Sequence, residues 1–185
     1  MARVLVQSWQ ETYRGLMPDH VLDDPGFIAA RERFWTAALV DERYSANTVA
    51  VAERDGAIIG VAMAGPPETP EPGWDLHLYV LYILASAHGS GAGKALLDAV
   101  VGPDRSTALW VADPNPRAQA FYEKHGFIAD GAVQVDGGVK ELRMVRVAPI
   151  HRLPCPDTRP SASEPWHITE SPKVPLHHSD RVRAR

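Results

Sequence analysis

The chain has 185 residues, 45% of them apolar and 23% charged, enough for one domain with a sizeable core. A net charge of -4 gives no electrostatic footprint for nucleic acid, so no nucleic-acid partner is expected. The single cysteine, Cys155, excludes a disulfide framework and a cysteine-based zinc site. No run approaches the ~18 apolar residues of a membrane helix, so no membrane partner is expected either.

The opening MARVLVQSWQETYRG has one early arginine and three consecutive apolar residues, unlike a signal peptide, and the expected location is cytoplasmic. Leu5, Trp9, Thr12, Tyr13 and Leu16 keep helical spacing. Asp24 and Pro25 supply a cap and first turn for a second helix through Leu39. NTVAVAE alternates as a strand, Asp55-Gly56 turns it, and AIIGVAMAG returns as a hairpin partner. After a proline-rich loop, DLHLYVLYIL reads as a long strand. Ala92, Ala95, Leu96, Ala99 and Val100 then form one stripe of a helix. TALWV is a strand, Asn115-Pro116 caps a helix that stops at Gly126, and strands near 127–135 and 139–147 complete an α/β fold with mixed strand directions.

Composition changes near Ala148. Residues 148–185 carry seven of the sixteen prolines and show no apolar periodicity, which predicts a disordered or loosely packed tail beside a domain spanning 1–147. The domain itself holds 13 basic and 19 acidic residues. His177 and His178 are adjacent, but two histidines without other clustered ligands do not make a metal site.

The segment HGSGAGK, His88 to Lys94, joins the long strand to an amphipathic helix, and its glycines suggest close approach of backbone to an anion. A nucleotide P-loop would need Gly at His88 and Ser or Thr at Ala95. A dinucleotide fingerprint would need Gly at Lys94. In everything but its first residue the segment resembles Q/R-x-x-G-x-G/A, the pyrophosphate loop of the GNAT N-acetyltransferases. His88, Gly89, Ser90, Gly91, Ala92 and Gly93 occupy the six positions. ADPNPRAQAFYEKHGF is similar to that family's second conserved region. SWQETYRGLMPD is similar to the first helix and acceptor-side loop of many bacterial members. The resemblance runs over roughly Ala2 to Val147.

It implies a mixed, mostly antiparallel twisted sheet flanked by helices, with acetyl-CoA as co-substrate and no metal. Backbone from Gly89 to Lys94 would hold the coenzyme pyrophosphate, and the pantetheine would lie beside Leu81, Tyr82 and Ile83. The Ile83 N–H would polarise the thioester carbonyl, and Tyr122 would act on the departing thiolate. Asn115 would contact coenzyme A or simply cap its helix. Asp75 and His77, sharing one face of the long strand, are alternatives for the general base. Trp9 and Tyr13 would line the acceptor pocket, with the acids Asp19, Asp23 and Asp24 on its loop. A branch that acetylates protein N-termini has a carboxylate where this chain has Trp110. The expected function is therefore acetyl transfer to a primary amine of a small molecule. The alternatives are an acyl-CoA sensor without turnover and a protein N-acetyltransferase.

Members usually begin with a strand before the first helix, which this chain lacks. The strand Asn47–Glu53 would then be an open sheet edge, and the expected accounts are a misplaced start, a truncation, or an edge closed by the tail or by a second subunit as a homodimer.

Overall fold

The computed structural model describes residues 1–69, 73–148 and 166–170; Cys155, His177 and His178 lie outside them. Among the described residues five α-helices run in chain order: α1 (Ala2–Tyr13), α2 (Asp19–Leu22), α3 (Gly26–Val40), α4 (Ala92–Val100) and α5 (Pro116–Lys124). The strands are β1 (Thr48–Arg54), β2 (Ala57–Gly65), β3 (Leu76–Ile83), β4 (Thr107–Ala112), β5 (Ile128–Asp136), β6 (Val139–Arg146) and β7 (His167–Glu170). They form one sheet in the order β5-β6-β4-β3-β2-β1-β7. Every pairing is antiparallel except β3 with β4. No helix among the described residues is long and apolar enough to cross a membrane.

Two departures from the sequence reading have clear causes. Helix α1 ends at Tyr13, before Leu16, because Arg14 is extended and Gly15 takes φ +85. Leu16 therefore lies outside the helix and is exposed. The second lies in the tail read as disordered or loosely packed: His167–Glu170 pairs with Ala50–Glu53 and covers the edge of β1, one of the covers expected for it. The proline-rich average of 148–185 hides a short apolar stretch: Trp166 is buried, and Ile168 packs against the same core.

Apolar clusters fill both faces of the sheet. On one face α4 and α5 cover Ala50, Ala62, Leu76, Leu78, Leu109 and Met144. On the other, α1 and α3 cover Val49, Val61, Met63 and Val80. A bulge in β3 exchanges its faces. Met63 pairs with Val80 but Ala64 with Leu78, so Tyr79 is the extra residue. Leu76 and Leu78 thus face α4, whereas Val80 and Tyr82 face α1 and leave Leu81 and Ile83 on the α4 side.

Gly60 shows how tightly α4 rests on the sheet. A Cβ there would collide with Cδ1 of Ile83 and come within 2.9 Å of Leu96 Cδ1. Gly60→Ala is expected to lower unfolding free energy by about 1–3 kcal/mol in equilibrium urea denaturation. An unchanged midpoint and slope would mean that this layer has room to spare.

Candidate functional site

Strand β3 pairs with β4 through Leu76 with Thr107 and His77 with Ala108, and the ladder goes no further. Beyond those two pairs the strands part and a cavity of about 900 Å³ opens between them. Leu78, Tyr79, Leu81, Tyr82 and Ile83 form one wall, and Trp110, Val111 and Ala112 the other. The floor on the α4 and α5 side carries Gly91, Gly93, Asn115, Phe121 and Tyr122.

The backbone of β3 has a definite polarity here. Leu84 N–H donates to Ile59 O of the hairpin partner, so the strand alternation turns Tyr82 N–H the same way. The N–H groups of Leu81 and Ile83 then face the opened gap. The Ile83 carbonyl faces it too, where His88 Nε2–H donates to it at 3.0 Å. Arg117 Nη1 donates to His88 Nδ1. Through these two contacts His88 ties the loop to both β3 and α5.

The loop itself is built around two left-handed glycines, Gly89 at φ +78 and Gly91 at φ +90. Ser90 Oγ donates to Ala87 O and accepts from Ala92 N–H. The first helical bond of α4 runs from Ala95 N–H to Gly91 O, so the N–H groups of Gly93 and Lys94 precede the ladder and have no helical acceptor. Together with the helix dipole they suit an anion. Gly93 also lets α5 come close, since a Cβ there would sit 3.3 Å from Phe121 Cε2.

Sequence reasoning passed over the cations at the rim. Arg117, Phe121, Lys124 and His125 all line the cavity, and their spacing of i, i+4, i+7 and i+8 along α5 marks one stripe. Lys94 joins them, paired with Asp98. Burial, and then the charge of Lys94, lower the pKa of His125 and favour its neutral form.

Tyr122 is 8% exposed and packs its ring against Phe121 and Phe127. Burial, and then Tyr13, raise its pKa well above the ordinary phenol value, so its O–H is retained across neutral pH. Tyr13 and Tyr82, whose hydroxyls lie 3.4 Å apart, are raised for the same first reason. Asn115 Oδ1 accepts from Ala118 N–H at 3.2 Å, which makes it the α5 cap while it also lines the cavity.

Other expected residues sit elsewhere. Asp75 and His77 are at the closed end of the β3–β4 pairing and outside the cavity wall. Asp75 is exposed and 3.9 Å from Arg105, and the His77 ring contacts Tyr79. The carboxylate among the described lining residues is Glu11, whose Oε2 accepts from Ala85 N–H. Tyr13 is in the wall, but Trp9 stands behind it, packed on Tyr13, Phe27 and Tyr82 with the Arg31 guanidinium over its ring. Asp19 and Asp23 are both held by Arg14, which keeps the Asp23 carboxyl below its usual range, and Asp24 Oδ1 accepts from Gly26 N–H just ahead of α3, whose N-cap is Pro25 rather than the expected Asp24. These acids are committed to their own loop.

Comparison with known proteins identifies the family and the fold. The sequence profile of the Acetyltransferase (GNAT) family matches residues 6–127. The uncharacterized N-acetyltransferase YuaI of Bacillus subtilis is 29% identical over 133 residues, covering 68% of this chain and 71% of that one. The probable N-acetyltransferase Rv2775 of Mycobacterium tuberculosis is 28% identical over 131 residues, covering 66% and 70%. Among solved structures, a histone acetyltransferase HPA2 and related acetyltransferase from Corynebacterium glutamicum superposes with TM-score 0.60 at 25% identity, over 82% of this chain and 91% of that one. The PaiA N-acetyltransferase of Thermoplasma acidophilum, solved in complex with coenzyme A, has the same fold at 19% identity and TM-score 0.59, over 79% and 89%.

The left-handed turn at Gly91 gives a direct test of the loop. Gly91→Ala places a side chain at φ +90, which costs roughly 1–2 kcal/mol. The expected result is a loss of that size in denaturant stability together with weaker coenzyme A binding by calorimetry. Unchanged stability and affinity would mean that the loop does not need the left-handed turn.

Proposed function

Because this chain belongs to the GNAT acetyltransferase family and is an acetyl-CoA-dependent acyltransferase, we propose that it moves the acetyl group to a primary amine of a small molecule by direct attack. The observation that carries the proposal is that Ile83 and Tyr122 line one cleft, from its wall and its floor. For the small-molecule acceptor, Trp110 fills the place where the protein N-terminal branch carries a carboxylate. Tyr13, Tyr79 and Tyr82 extend the same aromatic lining.

The residues present fit the co-substrate. Gly89, Gly91, Gly93 and Lys94 supply backbone N–H groups and the positive end of α4 for a pyrophosphate, and Arg117 and Lys124 add charge at the rim. When bound, acetyl-CoA supplies a thioester whose acyl carbon an amine can attack. The Ile83 N–H, turned into the cleft, donates to the acyl oxygen as negative charge grows there. Tyr122 donates its O–H toward the departing sulfur. A phenol of ordinary pKa near 10 protonates a thiolate, whose conjugate thiol has a pKa near 8.5, uphill by roughly 1.5 units or about 2 kcal/mol. Burial of Tyr122 widens that gap. Its main contribution is thus a hydrogen bond to the thiolate; the proton that the amine sheds as the C–N bond forms and the C–S bond breaks passes to water, and the thiolate takes its proton from solvent.

Tyr122→Phe is expected to lower kcat about 10- to 1000-fold while the Michaelis constant for acetyl-CoA changes little, measured by thiol release with single-turnover kinetics to isolate chemistry. An unchanged single-turnover rate would remove Tyr122 from the mechanism. The raised pKa adds a second expectation: the O–H form persists as pH rises, so no alkaline loss of kcat assignable to Tyr122 should occur below about pH 10. An alkaline limb below that pH that disappears in Tyr122→Phe would contradict the assignment.

A further inference from the structure

Strand β7 does more than cover the β1 edge. Immediately before it, Trp166 is buried with Ala87, Ala92 and Leu96, the residues that carry the loop and start α4. Its indole Nε1–H donates to Ser90 O at 3.0 Å, and its ring would lie 3.5 Å from a Cβ on Gly91. The Ser90–Gly91 peptide is planar and trans, so its N–H points opposite to its carbonyl. Holding the Ser90 carbonyl against the indole therefore aims the Gly91 N–H away from Trp166. Gly91 has no side chain to resist rotation of that peptide, and glycine tolerates both φ signs. On the near side Ser90 Oγ is already committed to Ala87 and Ala92, which leaves the indole as the group that fixes the plane from behind.

We propose that Trp166 is a positioning residue for the phosphate loop. Docking of residues 166–170 on β1 sets the orientation of the Ser90–Gly91 peptide that presents the Gly91 N–H to the coenzyme. This rests on the assignment of that loop to coenzyme A. Binding and docking are then linked reciprocally: whatever affinity the docked segment adds, bound coenzyme returns as protection of the segment.

Two measurements test it, both with acetyl-CoA as the probe. Trp166→Phe keeps an aromatic ring but removes the donor, and calorimetry should show a dissociation constant raised about 3- to 10-fold, as for one lost neutral hydrogen bond. In the unsubstituted full-length protein, amide hydrogen exchange at 167–170 should slow on saturation with acetyl-CoA, a readout that needs no variant to fold. If the unsubstituted protein binds, then either an affinity for Trp166→Phe within twofold of it or exchange unchanged by ligand overturns the role of Trp166 and leaves the loop assignment intact. If the unsubstituted protein does not bind acetyl-CoA, the loop assignment falls and the inference falls with it.

Discussion

Parallel pairing of β3 with β4 stops after Leu76 and His77, inside a sheet that is otherwise paired from β5 to β7. Backbone N–H and C=O groups are obligatory hydrogen-bonding partners, and those of Leu81 and Ile83 are turned toward the strand that has moved away. Water or a ligand must take the place of a strand. An extended ligand carrying its own amides, such as the pantetheine arm of coenzyme A, can pair with this exposed backbone as a strand would. The opening cannot close by sliding, because the bulge at Tyr79 sends Tyr82 to the α1 face and Ile83 to the α4 face. A one-residue slip would exchange them and bury the wrong side chains on both sides.

The glycine loop depends on the same opening. It follows β3 directly through a short 3₁₀ turn at Ala85–Ala87, so its place is set by where β3 ends. His88 locks it to the end of β3 through the Ile83 carbonyl and to α5 through Arg117, and Ser90 closes its inner side. Gly60 and Gly93 let α4 settle close to the sheet and to α5, bringing its N-terminal amides to the cleft rather than above it. Tyr122, on the same helix as Arg117, completes the wall. Strand ending, glycine contacts and helix face thus converge on one cavity.

Much of this was legible in the sequence because it is local. The period-2 and 3.6 patterns mark β1, β2, α4 and α5, and the Asn115-Pro116 cap fixes where α5 starts, which places Tyr122 seven residues on. The glycines at 89 and 91 announce a loop that needs left-handed backbone, and both positions adopt it. The cationic stripe Arg117–Lys124 is equally local, since its i, i+4, i+7 spacing lies within one helix. Features that depend on distant segments meeting were not legible. Period 2 puts Asp75 and His77 on one face, yet nothing in a single strand says at which residue its neighbour departs; the ladder ends just at His77 and leaves both outside the cleft. The Tyr79 bulge has no side-chain signature. The packing of Trp166 on Ser90 joins positions 76 residues apart, and a proline-rich average obscured the short apolar segment that achieves it.

The central claim is that the gap between β3 and β4 is the acyl-CoA site, with the glycine loop on its phosphates. A crystal structure of the full chain with coenzyme A tests it most directly. The account predicts the pyrophosphate within hydrogen-bond distance of the backbone N–H groups of Gly91, Gly93 and Lys94, the pantetheine along Leu81–Ile83, and the sulfur facing Tyr122. Coenzyme bound elsewhere, or in the cleft with its phosphates away from the loop, would contradict it.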